Sequence, residues 1–291
     1  SHDQKLLVLG NNNGDMEVYD IGDVYNKKLL SRWNCIQKRQ EMGSDFTTKG
    51  YEERELPFIV HLAINPDHTM IAVSHNNGEI VLWNVSDFNN PIFLTSIDRD
   101  LSNRDNDGDR YAGFSIDSLD FSSNGNILLY GINDTAVDEY NVCLWNIENI
   151  NAINFIVMID RGGMGDFVLM NKAKNRIYHF FNEESGFDDS RREIYCLDLN
   201  ASPAQISASM NYWHEHKNFL AGGYCDFEAV INRELKNSHI SECIEGFNIA
   251  AFAASEDDSL FAVLCSTKCG NCYDLVFMFD TTDIKNIMLL N

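Results

Sequence analysis

The 291-residue sequence predicts an all-β fold assembled from repeated antiparallel strand units, and three observations carry that prediction. Short runs of alternating apolar and polar residues recur along the chain, the period expected of half-buried strands. The runs are separated by turn pairs such as Asn-Gly and Pro-Asp, which supply the backbone angles that tight hairpins require. Each recurrence also closes on an aromatic or apolar residue followed by Asp or Asn.

Taken in order, residues 5–20 (KLLVLGNNNGDMEVYD) give two strands around Asn12-Asn13-Gly14. They match only the later part of the repeating unit, so the first unit lacks an obvious first strand. The basic stretch Lys27–Arg39 follows. Its Leu29, Trp33 and Ile36 are spaced for one helical face, yet in the repeat register 29–36 falls where an outer fourth strand belongs. Residues 37–56 read as a polar, charge-rich insertion. Residues 59–85 (IVHLAINPDHTMIAVSHNNGEIVLWNV) are the clearest unit: strand, Pro-Asp turn, strand, Asn-Asn-Gly hairpin, and a strand closing on Trp83-Asn84. After the acidic stretch 98–113, residues 116–147 repeat the plan with NDTAVDEY inserted in the hairpin. A more divergent unit covers 166–199, interrupted by a polar insertion near 182–192. The last unit runs from Asn248 to Asp283.

The closing pairs are Tyr19-Asp20, Trp83-Asn84, Trp145-Asn146, Leu197-Asp198 and Phe279-Asp280. Their gaps of 64, 62, 52 and 82 residues exceed the roughly 40–45 of one four-stranded blade, so each gap holds a blade plus an insertion. Gly222–Phe227 echoes Gly162–Phe167, which admits a further degenerate blade within 214–247.

These residues resemble the WD-repeat family of β-propellers, most closely in 59–85, where the Pro-Asp turn, the Asn-Gly hairpin and the Leu-Trp-Asn ending lie in family register. Two units keep the tryptophan, both have Asn where the family has Asp, and no Gly-His dipeptide occurs. The resemblance implies a β-propeller of four-stranded antiparallel blades. Five units are recognisable, six to seven blades would make a full ring, and this chain could hold an incomplete one. A single domain over 1–291 is expected, with polar insertions near 37–56, 98–113, 182–192 and 214–247.

Composition bounds the function. A 44% apolar, 23% charged chain has the material for a packed core, while 22 basic against 44 acidic side chains give a net charge of −22. That sign disfavours nucleic acid and anionic lipid as direct partners. No apolar run reaches the length of a membrane span, and no membrane insertion is expected. Cys35, Cys143, Cys196, Cys225 and Cys265 sit singly in apolar or mixed segments, the setting of buried thiols, which favours a reducing cytoplasmic compartment, with the nucleus also open.

The acidity is concentrated: 57–160 carries 15 acids and 3 bases, and no lysine lies between Lys49 and Lys172. Such a sector attracts and orients a cationic partner. Within it, Asp98, Asp100, Asp105, Asp107 and Asp109 are the candidate contacts. Asn103, Asp105, Asp107 and Gly108 match half a calcium loop, but Phe114 stands where the bidentate Glu belongs and Arg99, Arg104 and Arg110 compete with a cation. Cys269-x-x-Cys272 has no second half at zinc-site spacing. Neither metal nor cofactor is expected.

The sequence holds no G-x-S-x-G elbow, no phosphate loop and no H-E-x-x-H. The leading expectation is a non-catalytic interaction scaffold, part of a larger complex or longer chain, docking a basic peptide or subunit on an acidic face. Two alternatives remain. One is a carboxylate- or metal-dependent enzyme drawing on inner-strand positions His61, Asp117, Asp120, Asp166 and Asp226; the other is a structural domain of a longer multidomain protein.

Overall fold

The computed structural model describes residues 1, 3–43, 58–97, 114–134, 139–161, 167–171, 173–183, 191–211, 222–226, 247–255, 257, 259–267, 274–283 and 287–290. Strands and turns dominate. The chain divides into two compact units, Ser1–Asp160 and Arg161–Asn291.

The first unit holds three sheets. β1 (Leu6–Gly10), β2 (Asp15–Asp20) and β3 (Lys28–Asn34) form a three-stranded meander. A seven-residue helix, α1 (Cys35–Glu41), follows directly. β4 (Ile59–Ile64), β5 (Met70–His75), β6 (Ile80–Asn84) and β7 (Ile92–Ile97) form the second sheet. β8 (Phe114–Phe121), β9 (Ile127–Asp134), β10 (Glu139–Asn146) and β11 (Asn154–Arg161) form the third. In both four-stranded sheets spatial order follows chain order, the meander of a propeller blade. The first strands of successive sheets lie side by side, β1 against β4 and β4 against β8.

The second unit holds two such meanders: β12 (Phe167–Met170), β13 (Arg176–Glu183), β14 (Arg191–Asp198) and β15 (Gly222–Asp226), then β16 (Phe247–Ala254), β17 (Leu260–Thr267), β18 (Asp274–Asp280) and β19 (Met288–Leu290). A helix, α2 (Pro203–Asn211), lies between β14 and β15. Tyr178 stacks on Phe261 at 4.7 Å, and the Arg176 guanidinium donates to the Thr281 carbonyl at 3.0 Å, joining the two sheets.

The fold class is thus the expected one: all-β, in four-stranded antiparallel blades, with five sheets matching the five units read from the sequence. Two expectations change. Gly222–Asp226 does not open a further blade but pairs with β14 as its outer neighbour; the rest of 214–247 lies outside the described residues. The segment 37–56, expected as an insertion, begins inside α1, where Arg39 is buried along with the preceding Ile36. The strand reading of 29–36 holds as far as Asn34, where the chain turns helical.

One local design repeats in every sheet. The Asp or Asn that closes each unit accepts a hydrogen bond from the amide two residues on: Asp20 from Gly22, Asn84 from Ser86, Asn146 from Glu148, Asp198 from Asn200 and Asp280 from Thr282, all between 2.9 and 3.1 Å. Both side chains present the same Oδ1 acceptor for this turn, so Asn replaces Asp without loss. The turn after the first strand repeats as well. Asn65, Ser122, Asn171 and Ser255 each accept the amide five residues on through the side-chain oxygen, and His68, Gly125 and Lys174 take the positive φ that closes the turn. First strands carry a bulge at equivalent places, with Val60, Asp117 and Ala250 as the extra residues.

The core lies between sheets. Met16 and Val18 from β2 meet Ile71, Val73, Val81 and Trp83, and Leu82, Ile80 and Ala72 on the other face meet Phe121, Leu128 and Tyr130. Among the described residues no helix is long and apolar enough to cross a membrane.

Candidate functional site

Alternation of strand direction decides which connections share an end of a sheet. The β5–β6 turn, the start of β4 and the end of β7 lie at one end of the second sheet; the start of β8 and the β9–β10 connection lie at one end of the third. The acidic stretch 98–113 runs from the end of β7 to the start of β8, and so leaves from and returns to these ends. Asp98, Asp100, Asp105, Asp107 and Asp109 themselves lie outside the described residues.

The same end of the second sheet carries a buried charge cluster. Arg39, on α1, meets Glu79, at the β5–β6 turn, in a two-pronged pair: Nη1 to Oε2 and Nη2 to Oε1, both 2.8 Å, with each side chain only 2% exposed. The guanidinium carbon sits 5.2 Å over the Phe93 ring. Planar guanidinium and carboxylate match in this geometry, which makes the pair specific as well as strong. The turn beneath it is tightly organised: the Glu79 amide donates to Asn77 Oδ1, the Phe58 amide to Asn76 Oδ1, and Gly78 at φ +79° lets the chain reverse.

His75, 1% exposed at the end of β5, lies with Nε2 3.9 Å from the Cys35 sulfur. Burial and then the Arg39 charge hold the imidazole down at about 4, and burial pushes the Cys35 thiol up to about 12. At neutral pH the histidine is uncharged and the cysteine a thiol, so neither acts as a nucleophile or acid there. Cys143 is raised to about 12 by burial in the same way, and Cys196 is fully buried. Chemically the cluster is a latch: it fixes α1, and with it the point where 42–57 departs, to the end of the second sheet.

What holds α1 in register is local. Asn34 caps it, accepting the Gln37 amide while its own amide donates to Asn13 O and Asp15 Oδ1. These bonds, the Asn34 amide first, hold the Asp15 carboxyl below the usual carboxylate range. Sequence reasoning missed the Arg39–Glu79 pair. The partners are 40 residues apart, and each reads alone as an ordinary surface charge.

The inner-strand candidates separate on the structure. His61 lies on β4, and Asp117 and Asp120 lie on β8, all first strands as expected, with Asp117 at the bulge. Asp226 lies on β15, an outer strand, which removes it from any inner-strand set. Asp166 falls outside the described residues, as do Cys269, Cys272, His214, His216 and the half calcium loop Asn103–Gly108. Among the described residues no three His, Cys, Asp or Glu side chains converge to hold a metal ion.

No family model matches the chain, and no curated protein matches it. Among solved structures it is similar to a chain of the mitotic checkpoint complex, with 12% identity over 100% of this chain and 62% of that one, at a TM-score of 0.47. It is also similar to the Myceliophteria thermophila Cps50 (Swd1) β-propeller domain (9% identity, 100% and 70% covered, TM-score 0.47) and to Saccharomyces cerevisiae Sqt1 (9% identity, 98% and 59% covered, TM-score 0.43). The chain thus spans about three fifths to seven tenths of the structures it matches.

Proposed function

We propose that this protein is a non-catalytic interaction scaffold that docks a basic peptide or subunit on an acidic face formed by 57–160, within a larger complex or longer chain in the cytoplasm or nucleus. The observation that carries this reading is the segregation of charge, 15 acids against 3 bases in a span that includes two complete four-stranded sheets. Rigid sheets with long connections at one end present binding groups at low ordering cost. Asp98, Asp100, Asp105, Asp107 and Asp109 are the contacts we assign to the partner, because they are the densest acidic run of the sector.

Affinity capture from the native source, followed by mass spectrometry at about 50 and about 300 mM salt, tests this. Basic partners should be retained at low salt and lost at high salt. Replacing the five aspartates by lysine should abolish their capture without unfolding the protein. Capture that is indifferent to both salt and charge reversal would refute the acidic docking face.

A further inference from the structure

The first sheet has three strands where the other four have four. Its β1 edge can be read atom by atom. The Ile21 amide donates to Lys5 O and the Asn11 amide to Asp15 O, so Lys5 and Asn11 turn their backbone groups toward β2. Leu7 and Leu9, opposite Tyr19 and Glu17, share that phase. Leu6, Val8 and Gly10 therefore direct N–H and C=O away from β2. Leu6 has both filled: Ser1 N donates to Leu6 O at 2.8 Å, and the Leu6 amide donates to Ser1 Oγ at 2.9 Å. Ser1 thus occupies one rung of a ladder that continues, open among the described residues, through Val8 and Gly10.

We propose that the β1 edge accepts an extended segment of a partner protein as a fourth strand, one that is apolar at alternate positions and carries Lys or Arg at its ends. The hydrogen-bonding row requires an extended backbone, since no other ligand presents donors and acceptors at this repeat. Apolar alternation follows from the side chains beside it. Leu7 and Leu9 are 37% and 44% exposed on one face, and on the other the Gly10 position lies against Ile59 and Leu62 of β4, with no side chain of its own to block a neighbour. Charge at the ends follows from the acids around the strand: Asp3 precedes β1, while Asp15 and Asp20 open and close β2. Hydrogen bonds from Ser1 and from Asn34 lower the Asp3 and Asp15 carboxyls respectively, keeping both charged. This site is separate from the acidic stretch 98–113 and does not rest on it.

A probe follows from the repeat. In the second sheet the place beside the second strand is filled by β4, so a peptide copying residues 58–64, flanked by paired lysines and labelled for fluorescence anisotropy, should bind the full chain saturably. Two N-methylated versions, blocked on alternate amides in opposite phases, should differ at least tenfold in Kd, because only one phase points its N–H groups at β1. Val8→Pro removes an outward N–H without touching the β1–β2 ladder and should weaken binding at least tenfold. The variant with all five loop aspartates replaced should bind within twofold of the parent. Equal loss from both methylation phases, or no saturation, would overturn the proposal. So would a concentration-dependent dimer in sedimentation that the peptide dissolves, since the edge would then serve a second copy of this chain.

Discussion

At the level of single residues, Arg39 and Glu79 put the largest local energy at stake. Removing one partner of a buried ion pair leaves the other charge desolvated and uncompensated, at a cost of about 3–5 kcal/mol, whereas replacing both with apolar side chains of similar volume is often neutral. Arg39→Met and Glu79→Leu should therefore each lower the unfolding free energy of the first unit by about that amount in denaturant titration. The double variant should recover most of it; additive losses would mean the latch is held by something other than the pair. His75 adds a pH dependence with a definite sign. Its pKa is about 4 when folded against about 6.5 when unfolded, so the unfolded chain binds the extra proton between those values. Stability contributed by the neutral imidazole is complete above about pH 6.5 and falls as pH approaches 4, by up to about 3 kcal/mol. His75→Gln should flatten the unfolding free energy across that window; an unchanged slope would assign the acid sensitivity to other groups.

Among elements, the repeating turns explain how much of the fold was legible. Trp83-Asn84 and its four counterparts are visible in sequence because each does a local job, turning the chain through an i to i+2 hydrogen bond that Asp and Asn perform equally. Asn84→Asp should then leave stability within about 0.5 kcal/mol, while Asn84→Ala should cost about 1 kcal/mol by equilibrium unfolding. Gly125 tests the other turn. Its φ is +74° and an added Cβ would meet Pro66 at only 3.5 Å, ordinary contact, so Gly125→Ala should cost about 1 kcal/mol from backbone strain alone. Gly125→Asn should cost less, as His68 and Lys174 already take this angle in the equivalent turns. What was not legible lacked a local signature. β15 is an edge strand whose Gly222-Gly223 echoes another segment only in composition, and α1 starts where Leu29, Trp33 and Ile36 straddle a strand and a helix, so their helical spacing was a coincidence of register. The candidate site divides the same way. Charge segregation is a property of composition and could be summed, but the pairing of Arg39 with a turn 40 residues downstream is tertiary.

For the whole molecule, a net charge of −22 acts on folding and on association with opposite signs in salt. Like charges confined in a compact chain repel, and that repulsion is relieved on unfolding, so screening favours the folded state. The Debye length shortens from about 30 Å at 0.01 M to about 8 Å at 0.15 M salt. Over that range the melting temperature should rise by several degrees, on the order of 1–2 kcal/mol of relieved repulsion for a domain of this size. Binding of a cationic partner to the 57–160 sector should weaken over the same range, because the field that repels within the chain is the one that attracts the partner. Measuring both on one preparation, by differential scanning calorimetry and by titration of the captured partner, separates a long-range field from specific ion pairing. A protein held by surface ion pairs would lose stability with salt, and its partner affinity would fall with it. Opposite slopes, with the five-aspartate replacement flattening the binding slope and reducing the thermal one, are what an acidic docking face on rigid blades requires.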